Sequence, residues 1–143
     1  MTGVQTCALP IFTAVSEEPD AARDIVATCV AWYLSAMGDV YRRSVSSQGY
    51  AAGVRAILAA NPRPSPRHGV VPPDAEVVLE QLAAYGTGDQ VRQQLARWDE
   101  AADIVTILLP PGLPWSGIEA TLLAAAPGTD PAAVPEMYKY MRI

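Results

Sequence analysis

The sequence predicts an α/β protein, on the evidence of one helix and the strand that follows it. Thr87 and Gln90 have the spacing of a capping box, which marks the start of a helix. Apolar residues then recur at the helical period, at Val91, Leu95, Trp98 and Ala102. The run Ile104–Leu109 is apolar or β-branched throughout and does not alternate with polar residues. That pattern predicts a strand covered on both faces, as in a parallel sheet.

Length and charge limit the classes of protein to which the chain can belong. Its 143 residues suffice for one hydrophobic core, so we expect one domain. A formal net charge of −5 offers no basic surface for nucleic acid. The apolar runs are too short and interrupted to cross a bilayer, and two cysteines predict neither a disulfide framework nor a metal site. We therefore expect a cytoplasmic protein that binds neither nucleic acid nor membrane.

The first eleven residues are expected to be foreign to the protein. The run Thr2–Ile11 resembles, at all ten positions, the translation of a common short-read sequencing adapter. It does not resemble a signal peptide, because it lacks a basic start and Pro10 interrupts its weak apolar run. We therefore expect residues 1–11 to be an artefact, Met1 not to be the biological start, and an upstream portion to be missing.

The next sixty residues predict a strand end and three helices. Phe12–Val15 is short, apolar and β-branched, as is typical of a strand. Pro19 and the acids around it mark a helix start, and the apolar period then continues to Met37, where Gly38 ends the helix. We predict two further helices over Asp39–Gln48, with Gly49 just past its end, and over Tyr50–Ala60.

The remainder alternates between proline-rich turns and helices. Asn61–Pro73 should be an exposed irregular connector, followed by a helix over Asp74–Ala84. After the strand comes a turn over Pro110–Pro114. A last helix over Trp115–Ala126 should bury Ile118, Leu122 and Leu123, and the tail 128–143 has no assignable pattern. Two strands do not form an independent sheet, so we expect the C-terminal part of a larger α/β protein.

Four segments carry a resemblance to a known family. They are Ala31–Arg43, Ser46–Tyr50, Tyr85–Arg92 and Leu109–Gly112. In this order they resemble the C-terminal part of luciferase-like monooxygenases, and the closest branch is the one that uses the deazaflavin coenzyme F-420. The resemblance covers residues 12–127. One departure is Gly88, where relatives tend to carry proline, which should loosen the helix start without removing its cap.

The resemblance implies a fold and an activity. The family is a (β/α)8 TIM barrel, in which Phe12–Val15 would be the end of strand seven, Pro19–Ala60 a helical insertion and Ile104–Leu109 strand eight. It implies an oxidoreductase that transfers hydride between a deazaflavin coenzyme, or alternatively FMN, and a small organic substrate. Six strands and most of a seventh would be absent, so the chain alone should be inactive. Exposed strand edges make a homo-oligomer possible.

Two arginines and one turn are the candidate ligand contacts implied by this resemblance. Arg42 and Arg43 on the insertion could grip a phosphate or carboxylate of coenzyme or substrate. The alternative is a solvated helix face or a pairing with Asp39. Pro111 and Gly112 would follow strand eight at the face that carries barrel active sites, although a plain tight turn explains them equally well.

Other residues favour structural roles. His68 should be an exposed loop residue, and Cys29 a buried small hydrophobic side chain. Trp32, Tyr33 and Tyr41 could line a flavin-like ring, but aromatic residues at helical spacing also form cores. The sequence presents no nucleophile–base pair, which fits chemistry carried by a coenzyme. A small α-helical interaction module without catalytic activity is the competing hypothesis.

Overall fold

A computed structural model of the chain describes residues 8–99 and 101–126. Within these ranges three strands occupy Ala8–Val15 (β1), Ala83–Gly86 (β2) and Ile104–Leu108 (β3). The α-helices are Pro19–Ala36 (α1), Asp39–Val45 (α2), Ala51–Ala60 (α3), Glu76–Leu82 (α4), Gly88–Asp99 (α5) and Trp115–Ala125 (α6). The segment Ser46–Tyr50, which joins α2 to α3, is kinked at Gly49, and a 3-10 turn, Pro73–Ala75, precedes α4. The predicted tail 128–143 lies outside the described residues.

The three strands form one parallel sheet with the order β2-β1-β3. β1 pairs with β2 over Phe12–Val15 and with β3 over Ala8–Phe12. The mixed α/β class and the parallel sheet are therefore confirmed. No helix in the described ranges is both long and apolar enough to cross a bilayer.

β1 is the strand that is buried on both faces. Phe12 and Ala14 point into one core, whereas Ile11 and Val15 point into a second core on the opposite face. The fully buried Phe12 side chain contributes about 1.5–3 kcal/mol to folding by the usual area scaling. β1 begins at Ala8, so the strand extends into the segment 1–11 that the sequence marks as foreign.

The prediction that Ile104–Leu109 is covered on both faces is wrong. β3 is an edge strand whose only neighbour among the described residues is β1. Ile104 is 52% exposed, and Thr106 on the same strand is exposed as well. An unbroken apolar run can therefore belong to an edge strand that is only partly covered. The run shows that the side chains are apolar, but it does not show that other elements pack against them.

Helices cover both faces of the sheet because the chain reverses its direction across it. The connection from β1 to β2 runs one way, and the connection from β2 to β3 runs the other way past β1. Crossovers between parallel strands are almost always right-handed, so reversing direction moves the connecting helix to the opposite face. Accordingly α1, α3 and α4 pack on the Phe12 face, whereas α5 and α6 pack on the Ile11 face.

Strand β2 contradicts the prediction of a helix over Asp74–Ala84. The helix ends at Leu82 and the chain becomes extended at Ala83. Alanine favours helices, and a strand of four residues is too short to show a period. The edge of β2 is completed by Gln94 of α5, whose amide accepts from the Tyr85 N–H at 3.2 Å and donates to the Tyr85 carbonyl at 2.7 Å.

The capping box of α5 is confirmed. The Gln90 side-chain oxygen accepts a hydrogen bond from the Thr87 N–H at 2.8 Å, and the Thr87 hydroxyl accepts one from the Gln90 N–H at 3.4 Å. On the resulting helix Val91 and Leu95 are buried, as the apolar stripe predicts. Gly49 also has the positive φ, 101°, that the predicted end of the second helix requires, and the chain is kinked there between two helices.

Helix α6 packs with a face different from the one predicted. Leu122 is 48% and Leu123 65% exposed, whereas Thr121 and Ala124 are buried. The Thr121 hydroxyl accepts a hydrogen bond from the Val15 N–H at 3.1 Å and donates to the Gly117 carbonyl at 2.7 Å. Small side chains and this hydrogen bond let the helix approach the end of β1 closely, so its larger apolar residues face outward.

The connector is irregular, as predicted, but its two ends are held in place. The Asn61 amide donates to the Ile57 and Val70 carbonyls, both at 2.7 Å, and accepts from the Val70 N–H at 2.9 Å. Gly69 lies directly on α1: a Cβ atom there would be 2.8 Å from the Thr28 carbonyl oxygen and 3.0 Å from Ala31 Cβ. The expectation of a fully exposed connector is therefore wrong at Asn61 and Val71, which are buried.

Replacing Gly69 with alanine should destabilise the protein. The new methyl group would meet helix backbone that cannot move without disturbing α1, so we expect a loss of about 1–3 kcal/mol in the free energy of unfolding, the usual cost of overpacking. Gly88→Ala is the matched control, because its Cβ would lie 3.9 Å from Ala124 Cβ in ordinary contact. Urea denaturation of the two variants measures the difference, and equal midpoints would contradict the close approach.

Candidate functional site

The carboxyl edge of the sheet is the place where this topology opens a crevice. After β1 the chain turns onto the face covered by α1, whereas after β3 it turns onto the face covered by α6. In open α/β sheets ligands bind outside the carboxyl ends of strands whose connections diverge in this way. The candidate site therefore lies between α1 and the turn that follows β3.

A cleft of about 360 Å³ lies at this position, and we call it the switch cleft. Three parts of the chain line it: α1, the connector and the turn after β3. Its lining includes Ile25, Cys29, Arg67, Pro111, Gly112 and Leu113. The volume is at the lower end of the range for small-molecule sites, and the walls combine apolar side chains with one cation, Arg67, and one carboxylate, Asp24.

Pro111 and Gly112, two of the residues singled out in the sequence, belong to the switch cleft. Gly112 has a φ of 87°, a conformation that favours glycine, and no heavy atom lies within 4 Å of the position where its Cβ would be. The space above this backbone is therefore open to the cleft. The tight turn requires the glycine, and the resulting bare backbone gives a ligand room to approach.

Arg42 and Arg43 lie elsewhere, on α2. Both guanidinium groups contact Asp39, Arg42 closely and Arg43 at 3.3 Å, and the hydrogen bond from Arg42 lowers the pKa of the Asp39 carboxyl. The Arg42 side chain is 34% exposed and that of Arg43 80%. Neither lines the switch cleft, so the structure does not bring the two arginines together with Pro111 and Gly112.

Cys29 lies in the wall of the cleft as a small apolar residue. It is 5% exposed, and its burial raises the pKa of the thiol to about 11. The group is therefore a neutral thiol near pH 7 and lacks the thiolate character that nucleophilic cysteines need. The prediction of a buried small hydrophobic side chain is confirmed.

The aromatic residues of α1 and α2 belong to the core beside β1. The Tyr33 ring packs edge-on against Phe12 at a centroid distance of 5.2 Å and against Tyr41 at 4.9 Å. Burial is the main reason that the pKa of Tyr41 is raised to about 12. Of the two interpretations that the sequence left open, the structure favours core packing for this pair. His68 is exposed in the connector, as predicted.

A polar network that the sequence did not reveal joins three elements near the same edge of the sheet. Arg23 of α1 donates from Nε to Glu76 Oε1 of α4 at 2.9 Å, and the Tyr85 hydroxyl of β2 donates to the same oxygen at 3.0 Å. Arg23 also donates to the Val71 carbonyl at 3.3 Å. Arg23 is 53 residues from Glu76 and 48 from Val71 along the chain, so no local spacing could have predicted these two bonds.

The network shifts the pKa of each of its titratable members. The hydrogen bond from Arg23 lowers the pKa of the Glu76 carboxyl, and the same bond raises the pKa of Arg23. Burial, and next the bond to Glu76, raise the pKa of Tyr85 to about 12. The groups therefore stay in the forms that bond one another, a carboxylate between a guanidinium and a neutral phenol, over the neutral pH range.

Comparison with protein-family models, curated proteins and solved structures finds no significant match. Within the described residues no group of three or more His, Cys, Asp or Glu side chains is placed to hold a metal ion.

Replacing Glu76 with glutamine should cost stability in a pH-dependent manner. The carboxyl pKa is lower in the folded state, so its contribution is present above the unfolded pKa of about 4.3 and is lost as the pH falls through the folded value. We expect a loss of about 1–2 kcal/mol at pH 7, typical of a partly exposed charge-assisted bond.

Denaturant unfolding from pH 7 to pH 3 measures this dependence. The difference between wild type and Glu76→Gln should shrink toward acid pH. Glu119→Gln is the control, since Glu119 is exposed on α6 and takes no part in the network. A difference that stays constant with pH would show that the substitution perturbs packing and not the ion pair.

Proposed function

We propose that this chain is part of a flavin- or deazaflavin-dependent oxidoreductase of the luciferase-like monooxygenase family, which transfers hydride between the coenzyme and a small organic substrate. One structural observation supports the proposal above others. The Pro-Pro-Gly turn after β3, one of the segments that resemble the family, lines a cleft at the carboxyl edge of a parallel sheet. Sites of α/β enzymes are found at this edge.

The residues of the switch cleft fit one side of a planar ring system. Ile25 and Leu113 supply apolar surface, and the bare backbone at Gly112 leaves room for close approach. Arg67 supplies a cation at the rim of the same space. A bound flavin or deazaflavin would supply the hydride chemistry. The part of these residues would be to position the ring and to exclude water from one of its sides.

The proposal requires that the complete protein contain further strands beside β1 and β3. In a closed barrel all crossovers run in the same direction, and strand seven lies between strands six and eight. In this chain β2 occupies the second place beside β1, where a barrel would have strand six. If β1 is strand seven, the complete protein must therefore hold another strand where β2 lies here, and a further one beside β3.

The competing hypothesis, an interaction module without catalytic activity, is favoured by one surface. Trp115, Leu122 and Leu123 of α6 are exposed large apolar side chains. Exposed apolar groups of this size are often covered by a partner. An incomplete barrel would also expose apolar side chains at the places where its other strands and helices belong. The upstream sequence therefore decides between the two hypotheses.

The genomic reading frame upstream of Phe12 provides the first test. We expect about two hundred further in-frame residues with alternating strands and helices, since a complete barrel needs about 250 residues or more. Sequencing the locus across this junction gives the answer. A native start codon next to Phe12 would exclude the barrel and leave the interaction module.

Coenzyme binding provides the second test. The 143-residue chain should bind neither FMN nor the deazaflavin with micromolar affinity, because a site formed by eight loops cannot be rebuilt from the few present here. The extended protein should bind one of them. Fluorescence titration of both proteins measures this, with heat-denatured extended protein as the control. Micromolar binding by the 143-residue chain would contradict the proposal that it is part of a larger barrel, and no binding by the extended protein would reject the oxidoreductase.

A further inference from the structure

A second cavity lies beside the switch cleft and is the larger of the two, at about 550 Å³. It opens between α1, the end of α3 and the connector, and we call it the connector cavity. Asp24, Thr28 and Arg67 line both spaces, so the two are contiguous along α1. Its volume is in the range of small-molecule sites.

The walls of the connector cavity are held in place without a ligand. Asn61 closes the connector through three hydrogen bonds to backbone groups, and the Thr28 hydroxyl donates to the Gly69 carbonyl at 3.3 Å. Arg23 fixes the Val71 carbonyl while its guanidinium stays bonded to Glu76. Pro62, Pro64 and Pro66 further restrict the backbone between these points. The backbone of this site therefore needs little ordering when a ligand binds.

The charge of this cavity opposes that of the protein as a whole. Arg63, Arg67 and the imidazole of His68 line it, whereas the third arginine of the lining, Arg23, is paired with Glu76 and with the Asp24 carboxylate. The chain carries only 10 lysines and arginines and a net charge of −5. Cations gathered in one concave surface of an acidic protein repel one another and attract anions.

Two of the arginines are available to a ligand. Within residues 8–99 and 101–126, the side chains of Arg63 and Arg67 make no hydrogen bond or ion pair, whereas Arg23 is engaged by Glu76. The backbone N–H of Arg67 donates to the Ser65 hydroxyl at 3.2 Å, and this hydrogen bond shapes the turn between the two arginines. Planar guanidinium groups bind phosphate and carboxylate oxygens in pairs of hydrogen bonds.

We propose that the connector cavity binds the oxyanion group of a small molecule, a phosphate or a polycarboxylate, through Arg63 and Arg67. The proposal does not rest on the hydride chemistry proposed above, although Arg67 also lines the switch cleft. His68, on the same rim, adds a third donor to the anion, and the Asp24 carboxylate limits the ligands to those that keep their anionic group on the connector side.

Titration of the full 143-residue chain tests the proposal. Pyrophosphate and citrate are the probes, added separately and followed by calorimetry at an ionic strength of about 0.05 M, where exposed charges are weakly screened. We expect saturable binding with a dissociation constant of about 0.1–1 mM, consistent with a few exposed charge-assisted contacts. Tighter binding of pyrophosphate identifies a phosphate site, and tighter binding of citrate a polycarboxylate site.

The matched variants remove equal charge. Arg63→Gln with Arg67→Gln should weaken binding about tenfold or more, because both guanidinium contacts are lost. Arg55→Gln with Arg92→Gln removes two exposed arginines outside the cavity and should change the dissociation constant less than about twofold. Equal weakening by the two pairs would show that the anions respond to net charge alone and would overturn the proposal.

Amide chemical shifts give a readout that does not depend on the variants. Saturating pyrophosphate or citrate should shift the Gly69 and Val70 amide resonances, which belong to the cavity wall. Arg55 in α3 and Arg92 in α5 lie outside that wall, and their amides serve as internal controls. Absence of saturable binding, or shifts confined to residues outside the cavity, would reject the site.

Discussion

The structure depends on strand β1 being paired on both edges and covered on both faces. Phe12–Val15 pairs with β2, and Ala8–Phe12 pairs with β3, so its two halves hold different neighbours. Its side chains alternate between the two cores, and in doing so they connect all the helices that pack on the sheet. The Val15 N–H adds a bond to Thr121, which positions α6 at the end of the strand. A substitution that shortens β1 would therefore disturb both layers together.

The elements with strong local patterns could be predicted from the sequence. The start of α1 at Pro19 and the cap of α5 at Thr87 follow from short-range chemistry, because each involves residues within one helical turn. Strand β2 could not be predicted, because alanine at positions 83 and 84 does not favour a strand and four residues are too few to show an alternating pattern. The exposure of Ile104 could not be predicted either, because it depends on which strand lies beside β3.

The candidate sites follow the same division. Pro111 and Gly112 could be singled out because a glycine after a strand marks a turn at its carboxyl end, and the structure places both in the switch cleft. Arg67 could not, since its place in the cleft depends on the connector folding back along α1. Two contacts fix that path: Asn61 bonds to Val70 at the other end of the connector, and Gly69 packs against α1. Contacts between residues this far apart along the chain produce no periodic pattern in the sequence.

The side chain of Gln94 has a consequence for how the sheet can grow. By bonding both backbone groups of Tyr85 it occupies the outer edge of β2, and the opposite edge, along β3, has no such cover among the described residues. Among the described residues, a further strand could therefore pair with β3 but not with β2 at Tyr85.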